Sequence, residues 1–251
     1  METGATDGQP AAEEPELPTP TEATAPAGTP LLSATDLVKW YGDTPALRGL
    51  SLTVSAGDTV ALLGPSGSGK TALLHCLTGL TVPDAGAVRY RDEPVHTMAP
   101  PARARLRRAA FGVLTPDAGL LAELSAEENV ALPLLLGGAS AGEAIETAGK
   151  WLTWLDAAEC APLRPGRLSS GQRQRVAAAR SLVTGPQILF ADEPTAALDS
   201  QESAQLLRIL LSATRTHSIA LLLATHDPQV AGLADRQLSI LDGRLLAESA
   251  R

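Results

Sequence analysis

The chain has few cysteines and no long apolar run, and each absence excludes a class of protein. Its two cysteines, Cys76 and Cys160, match no metal or redox spacing, so we predict neither a zinc site nor a disulfide framework. The longest apolar stretches, 130–136 and 219–224, fall far short of the roughly 20 residues that a membrane-spanning helix needs. Any membrane role must therefore depend on a partner.

An excess of positive charge is also missing. The net charge is −8, but residues 1–30 hold six acids and no Lys or Arg, and the other 22 acids and 20 bases nearly balance. A nucleic-acid partner needs a basic surface, so we expect none. Residues 1–30 are rich in Pro, Ala, Thr and Glu. We expect them to form a disordered acidic leader, and they lack the basic and apolar regions of a secretory signal.

The remaining residues, 31–251, have the pattern of one α/β domain. Strand-like segments at 37–41, 50–54 and 59–63 are followed by helical patterns over 116–167, and from residue 171 onward helices and strands alternate. The strand at 188–191 is continuously apolar, as is typical of a parallel sheet covered on both faces. We expect a mostly parallel core from 31–115 and 168–251, with a helical insertion at 116–167.

A glycine-rich loop follows the third strand and fits the phosphate-binding pattern G-x-x-x-x-G-K-[ST] at every position. Glycines let backbone N–H groups approach phosphate oxygens, and the N-terminus of the next helix adds partial positive charge. Lys70 should reach the β- and γ-phosphates, and Thr71 should place its hydroxyl on Mg²⁺. A glycine-rich turn without function is the alternative. The expected nucleotide-binding residues are Gly64, Pro65, Ser66, Gly67, Ser68, Gly69, Lys70, Thr71 and Ala72.

Two acids end the apolar strand at 188–191, and a histidine follows the next strand. Asp192 should organise Mg²⁺, and Glu193 should act as general base on an attacking water. The alternative for this pair is two solvated acids at a strand end. His226 is expected at the same sheet edge as Glu193, where it could sense the γ-phosphate. A lone histidine is more often structural.

A second helix N-terminus, in the segment LSSGQRQR at 168–175, is also suited to phosphate. It follows the glycine-rich loop by about a hundred residues, so one molecule cannot easily close both on one nucleotide. With this motif the chain, over about 32–248, resembles the nucleotide-binding domain of ABC transporters. The subgroup that it resembles comprises the ATPases of lipoprotein-release, macrolide-export and cell-division transporters. Glu128-Asn129-Val130 supports that assignment.

The resemblance implies a P-loop NTPase fold with an N-terminal antiparallel β subdomain and an inserted helical subdomain. It implies an ATPase that uses ATP and Mg²⁺ and forms a head-to-tail homodimer, or a heterodimer with a related ATPase. It also implies a membrane permease as partner and a place in the cytoplasm at the inner face of the membrane. The residues that match the family's catalytic set are Lys70, Glu193 and His226. Those that match its other nucleotide contacts are Tyr41, Ser169, Gly171, Gln172 and Asp199. Tyr41 would stack on adenine, or else it is a core residue of its strand.

The chain departs from the family pattern at two positions. Pro116 stands where the family has a glutamine that helps hold Mg²⁺ and links the site to the membrane subunit, and proline has no side-chain amide. Ser170 replaces a signature glycine, which a helix start tolerates unless φ must be positive. The loss at Pro116 raises an alternative: a regulatory or mechanotransmission module that binds ATP and hydrolyses it weakly. An ATPase of DNA repair or translation is a third reading, which the lack of a basic surface disfavours.

Replacing Pro116 with glutamine restores the side-chain amide of the family pattern. We predict that P116Q raises the rate of ATP hydrolysis or its coupling to transport, because that amide contacts Mg²⁺ and the membrane subunit in the family. Phosphate release by the purified protein with its partner measures the effect. The matched control is P20Q, the same change in the predicted leader. If neither quantity changes, position 116 does not limit the reaction.

Overall fold

The computed structural model describes residues 30–250, so the predicted leader lies outside the described residues except for Pro30. Within 30–250, no helix combines the length and the apolar character needed to cross a membrane. The strands of this range are β1 (Leu32–Tyr41), β2 (Thr44–Val54), β3 (Thr59–Leu63), β4 (Ala85–Tyr90), β5 (Glu93–Pro94), β6 (Phe111–Leu114), β7 (Ile188–Asp192), β8 (Ala220–Thr225), β9 (Arg236–Leu241) and β10 (Arg244–Ala250). The α-helices are α1 (Lys70–Leu77), α2 (Pro100–Ala110), α3 (Ala126–Gly137), α4 (Ala141–Trp154), α5 (Ser170–Leu182), α6 (Ser200–Thr216) and α7 (Pro228–Ala231).

The first sheet is antiparallel and has the strand order β2-β1-β4-β5. A tight turn at Gly42 and Asp43 joins β1 to β2, and Gly42 has a φ of 58°, a left-handed conformation that glycine adopts without steric cost. Tyr41 pairs with Thr44 across this turn. The hairpin therefore holds Tyr41 at its tip, where the side chain is half exposed.

The second sheet has the order β10-β9-β3-β8-β7-β6, and every neighbouring pair is parallel except β10 with β9. Strands β7 and β8 are buried along their whole length, as their continuous apolar sequences predict. In the register, Leu63 lies opposite Thr225 and Asp192 lies opposite Ala224. The predicted mostly parallel core and N-terminal antiparallel sheet are therefore confirmed.

The two faces of the parallel sheet pack against different groups of elements. Leu189 and Leu221 join the cluster that includes residues of α3 to α6, whereas the alternate residues Phe190 and Leu222 join the cluster shared with α1 and the antiparallel sheet. This division follows from the two-residue period of a strand. Each fully buried leucine contributes roughly 1.5–3 kcal/mol through removal of apolar area from water. The sheet is thus fixed from both sides.

Asn129 organises the loop that connects β6 to α3. Its side chain is fully buried in α3. The Oδ1 atom accepts a hydrogen bond from Leu121 N (2.8 Å), and Nδ2 donates to Leu121 O (3.0 Å) and Ser125 O (2.9 Å). One side chain thereby satisfies the backbone of a turn that would otherwise leave polar groups unpaired beside the core.

The structure also contains elements that the sequence did not predict. Strand β4 pairs antiparallel with β1, and β10 adds an edge to the second sheet. Neither has a clear apolar alternation that would reveal a strand. Strand β4 begins with three small residues, Ala85, Gly86 and Ala87, and β10 is exposed over most of its length. The division into a core and an insertion at 116–167 stays a prediction.

We predict that N129A lowers the free energy of unfolding by about 2–3 kcal/mol, because it leaves buried backbone groups of the loop without partners. Urea unfolding followed by circular dichroism measures the change. The control Q201A removes an exposed amide from α6 and should change the stability by less than about 0.5 kcal/mol. Equal stabilities for the two variants would contradict the role given to Asn129.

Candidate functional site

The loop between β3 and α1 has a conformation that requires glycine at two positions. Gly69 precedes α1 with a φ of 106°, and a Cβ there would lie 2.5 Å from Ala46 O. A Cβ at Gly64 would overlap Ile240 O. The chain therefore folds tightly around a concave backbone surface, as the glycine-rich pattern predicts.

The N-terminus of α1 is left open for an anion. No side chain in the part of the chain that the structure describes caps this helix, and its first turn contains no acid. By contrast, a serine or an aspartate caps each of α3, α4, α5 and α6. The first N–H groups of α1 consequently lack intrahelical partners and point, with the positive end of the helix dipole, toward the loop.

Lys70 begins α1 and lies almost buried beneath the loop. Its Nζ atom donates to Gly64 O (2.7 Å) and Pro65 O (3.1 Å), and it is 3.4 Å from Glu193 Oε1. These neutral carbonyls are weaker partners than phosphate oxygens. The ammonium group is thus held by its own loop, at the position from which it can transfer to a bound phosphate.

Thr71 and Asp192 form a pair with the composition of a magnesium site. Thr71 Oγ1 donates to Asp192 Oδ2 (2.7 Å). The other carboxylate oxygen, Asp192 Oδ1, is buried and has no hydrogen-bond partner within residues 30–250. Buried carboxylate oxygens without partners are rare, and Mg²⁺ is commonly held by one or two protein oxygens together with phosphates and waters. These two residues therefore fit the ion.

Glu193 and His226 meet at the carboxyl edge of the parallel sheet. Glu193 Oε2 lies 2.9 Å from Nδ1 of His226, and its other oxygen faces Lys70. The backbone of Glu193 has a φ of 44°, a strained conformation for a non-glycine residue, and its N–H donates to Ala224 O (2.9 Å). The side chain of His226 is largely exposed. The carboxylate thus stands between a buried cation and an accessible imidazole.

An open cavity of about 530 Å³ is lined by residues that include Tyr41, Ser66, Gly67, Lys70, Thr71, Asp192 and Glu193. His226 instead lines a second open cavity, to which Glu193 also contributes. Tyr41 is 49% exposed on the wall of the first cavity, so the alternative that placed it in the core is wrong. His75 also lines the first cavity, although it is not among the residues predicted from the sequence to contact the nucleotide. The helical spacing could have predicted this position, because His75 lies four residues after Thr71 and so on the same face of α1.

The remaining predicted contact residues lie away from this cavity. Ser169 caps α5: its Oγ accepts from Gln172 N (3.1 Å), and its N–H donates to Gln172 Oε1 (2.9 Å). Asp199 caps α6 by accepting from Glu202 N (2.8 Å). None of Ser169, Gly171, Gln172 and Asp199 lines the cavity beside Lys70. Ser170 is the first residue of α5, and its φ is not positive, so a serine is accommodated there.

Pro116 stands exposed just after β6 and brings no side-chain amide toward Asp192. The preceding carbonyl, Thr115 O, accepts a hydrogen bond from Gln174 Nε2 of α5 (3.0 Å). The segment after β6 is therefore hydrogen-bonded to α5 through its backbone, because the side chain of Pro116 can neither donate nor accept a hydrogen bond.

The chain is similar to many proteins of one family. The family description "ABC transporter" matches residues 47–196. A lipoprotein-releasing system ATP-binding protein LolD of Psychrobacter arcticus is 42% identical over 218 residues, covering 85% of this chain and 96% of that protein. A macrolide export ATP-binding/permease protein MacB of Marinobacter nauticus is 41% identical over 225 residues. That match covers 88% of this chain but 35% of the relative, so the chain spans about a third of its length.

The fold has close counterparts among solved structures. The dimeric post-hydrolysis state of the ATP-binding cassette MJ0796, bound to ADP and phosphate, matches with a TM-score of 0.82 and 30% identity, covering 87% of this chain and 98% of that one. A second dimeric structure of MJ0796, described as a bacterial ABC transporter cassette, matches with a TM-score of 0.81. The predicted P-loop NTPase fold class is confirmed.

We predict that D192N weakens the effect of Mg²⁺ on nucleotide binding about 10–100-fold, because the change removes the charge of the buried, unpartnered carboxylate. Titration of a fluorescent ATP analogue with and without Mg²⁺ measures it, and binding without the ion should change little. The control D92N makes the same substitution in an exposed turn. An unaltered response to Mg²⁺ in D192N would exclude Asp192 as a ligand.

Proposed function

The chain belongs to the ABC transporter family, and from this premise we propose that it binds and hydrolyses ATP to power a membrane permease. The observation that carries the proposal is the set of contacts at one sheet edge. Beside the concave backbone loop, Lys70 Nζ lies 3.4 Å from Glu193 Oε1, and Glu193 Oε2 lies 2.9 Å from His226 Nδ1. This is the arrangement that phosphoryl transfer to water requires: a cation for the phosphate, a carboxylate for the water and a group that orients the carboxylate.

ATP would bind with its phosphates in the loop 64–71 and its adenine against Tyr41. The N–H groups at the start of α1 would contact the phosphates, together with Lys70 Nζ after it leaves Gly64 O and Pro65 O. Thr71 and Asp192 would hold Mg²⁺, and the bound ion would neutralise charge on the phosphate oxygens. The exposed phenol ring of Tyr41 offers a flat surface at the mouth of the cavity.

Hydrolysis would proceed by in-line attack of water on the γ-phosphorus. Glu193 would accept a proton from the water as its oxygen bonds to phosphorus, while the bond to the β–γ bridging oxygen breaks and ADP leaves. His226, at 2.9 Å, would fix the orientation of the Glu193 carboxylate. The strained backbone of Glu193 would also help to orient the carboxylate, since it fixes the direction in which the side chain leaves the sheet.

Each ATP would lie between two copies of the cassette, or between this chain and a related ATPase. Ser169, Gly171 and Gln172 sit at the N-terminus of α5, outside the cavity that holds Lys70. A second molecule turned head to tail would bring its α5 N-terminus to the phosphates, and Asp199 would lie at the crossing between the two. Both solved structures of MJ0796 that the fold matches are dimers, which supports this arrangement.

The permease would contact the groove between α2, β6 and α3. This open cavity of about 380 Å³ is lined by Val113, Pro133 and Leu136 on its apolar side and by Arg107 and Arg180 on its polar side. The exposed apolar side chains favour a protein partner over water. Through that partner the chain would reside at the cytoplasmic face of the membrane. The similarity to LolD and MacB, which are named as a lipoprotein-releasing and a macrolide export protein, supports this location.

We predict that E193Q lowers steady-state ATP hydrolysis at least about 100-fold, because the amide cannot accept the proton of the attacking water. ATP should then accumulate in a closed dimer, which size-exclusion chromatography with light scattering detects. The control E123Q makes the same change at an exposed position of the loop before α3 and should hydrolyse ATP normally. An ATP-bound E193Q protein that remains monomeric would contradict the proposed dimer.

A further inference from the structure

A carboxylate from another helix lies beside the N-terminus of α5. Gly171, in the first turn of α5, is buried, and a Cβ built on it would lie 2.7 Å from Cδ of Glu202 and would overlap Oε1. Glu202 belongs to the first turn of α6. The carboxylate therefore lies against the second residue of the helix whose N-terminus the proposed function assigns to the γ-phosphate of ATP.

The local sequence explains why this side chain turns toward α5. In α3, α4 and α5 the third helical residue sends its side chain back to the N–H of the capping residue. Glu202 occupies that position in α6, and its N–H donates to Asp199, but its carboxylate does not return to Asp199 N. Throughout residues 30–250 the Glu202 side chain makes no hydrogen bond and no ion pair. The carboxylate is thus available to interact with the N-terminus of α5.

The charges around α5 leave the Glu202 carboxylate unneutralised. The two arginines of the first turns of α5 have other partners: Arg173 Nη1 donates to Leu168 O (2.7 Å), and Arg175 Nη1 lies 3.6 Å from Asp156 Oδ2. The first turn of α5 contains no acid of its own. Glu202 consequently supplies the negative charge that the positive end of the helix dipole attracts.

We propose that Glu202 is an internal anion beside the N-terminus of α5 that restrains ATP-driven closure of the dimer. The inference rests on the proposed head-to-tail dimer, in which α5 of one copy receives the γ-phosphate bound by the other. An incoming triphosphate must displace or tolerate this carboxylate, and two negative groups close together repel. The monomer is stabilised by the same contact, so Glu202 favours the open state.

The test compares dimer dissociation constants in the hydrolysis-deficient background. Sedimentation equilibrium with saturating ATP should give E193Q/E202Q a dissociation constant about tenfold lower than E193Q, which is ~1.4 kcal/mol in favour of the dimer. E202D keeps the charge and should remain within about threefold of the parent. The control E123Q removes one exposed carboxylate elsewhere and should not shift the constant. Binding of a fluorescent ATP analogue to the monomer should be unchanged in each variant.

The outcomes separate the inference from the proposed function. If E193Q forms the ATP dimer but E193Q/E202Q associates equally or more weakly, Glu202 is a structural residue and the inference is wrong. If E193Q itself never dimerises, the head-to-tail arrangement fails and the inference fails with it. Thermal unfolding checks that each variant is folded. A purely structural role would lower the melting temperature of E202Q without strengthening the dimer, whereas the proposed role strengthens the dimer.

Discussion

The parallel register of β3, β7 and β8 is the constraint on which the proposed chemistry depends. Because Leu63 lies opposite Thr225 and Asp192 lies opposite Ala224, the three strands end together. The residues that follow each strand therefore meet at one edge, and in this way a loop, an acid pair and a histidine far apart in the chain become neighbours. A shift of one residue in β7 would turn the Asp192 side chain to the other face of the sheet and would separate Thr71 from its partner.

The N-termini of α1 and α5 differ in their contacts, and the difference bears on the proposed function. The start of α1 is uncapped and lies in a cavity with Lys70, so it is ready for phosphate. The start of α5 is capped by its own Ser169, and Glu202 lies beside Gly171 in its first turn. Under the proposed function, a nucleotide would therefore enter the first site of a single chain, whereas the second site would lose contacts before it binds. In the proposed dimer, this asymmetry would make closure depend on ATP and not on simple collision of two copies.

Sequence reasoning predicted the parts of the site that depend on short local patterns. The glycine-rich loop, the acids at the end of β7 and the histidine after β8 could be found because motif, strand and sheet edge follow one another in the chain. Two features could not be found that way. The exposure of Tyr41 depends on the tertiary position of the hairpin tip, and the contact of Glu202 with Gly171 depends on how α5 and α6 approach each other. Strand β10 was missed because an exposed edge strand needs no apolar face.

The contacts of the segment after β6 indicate how the absence of a side-chain amide at Pro116 can be tolerated. Three bonds join this segment to α5: Gln174 donates to Thr115 O, and Arg180 donates to Ala118 O (2.8 Å) and Gly119 O (2.7 Å). All three use backbone carbonyls, which proline leaves intact. A displacement of α5 by a phosphate would therefore pull on 115–119 and on the groove beside Arg180, where the permease is proposed to sit. Under the proposed function, α5 would thus carry a displacement to the groove through bonds that do not depend on the side chain at 116.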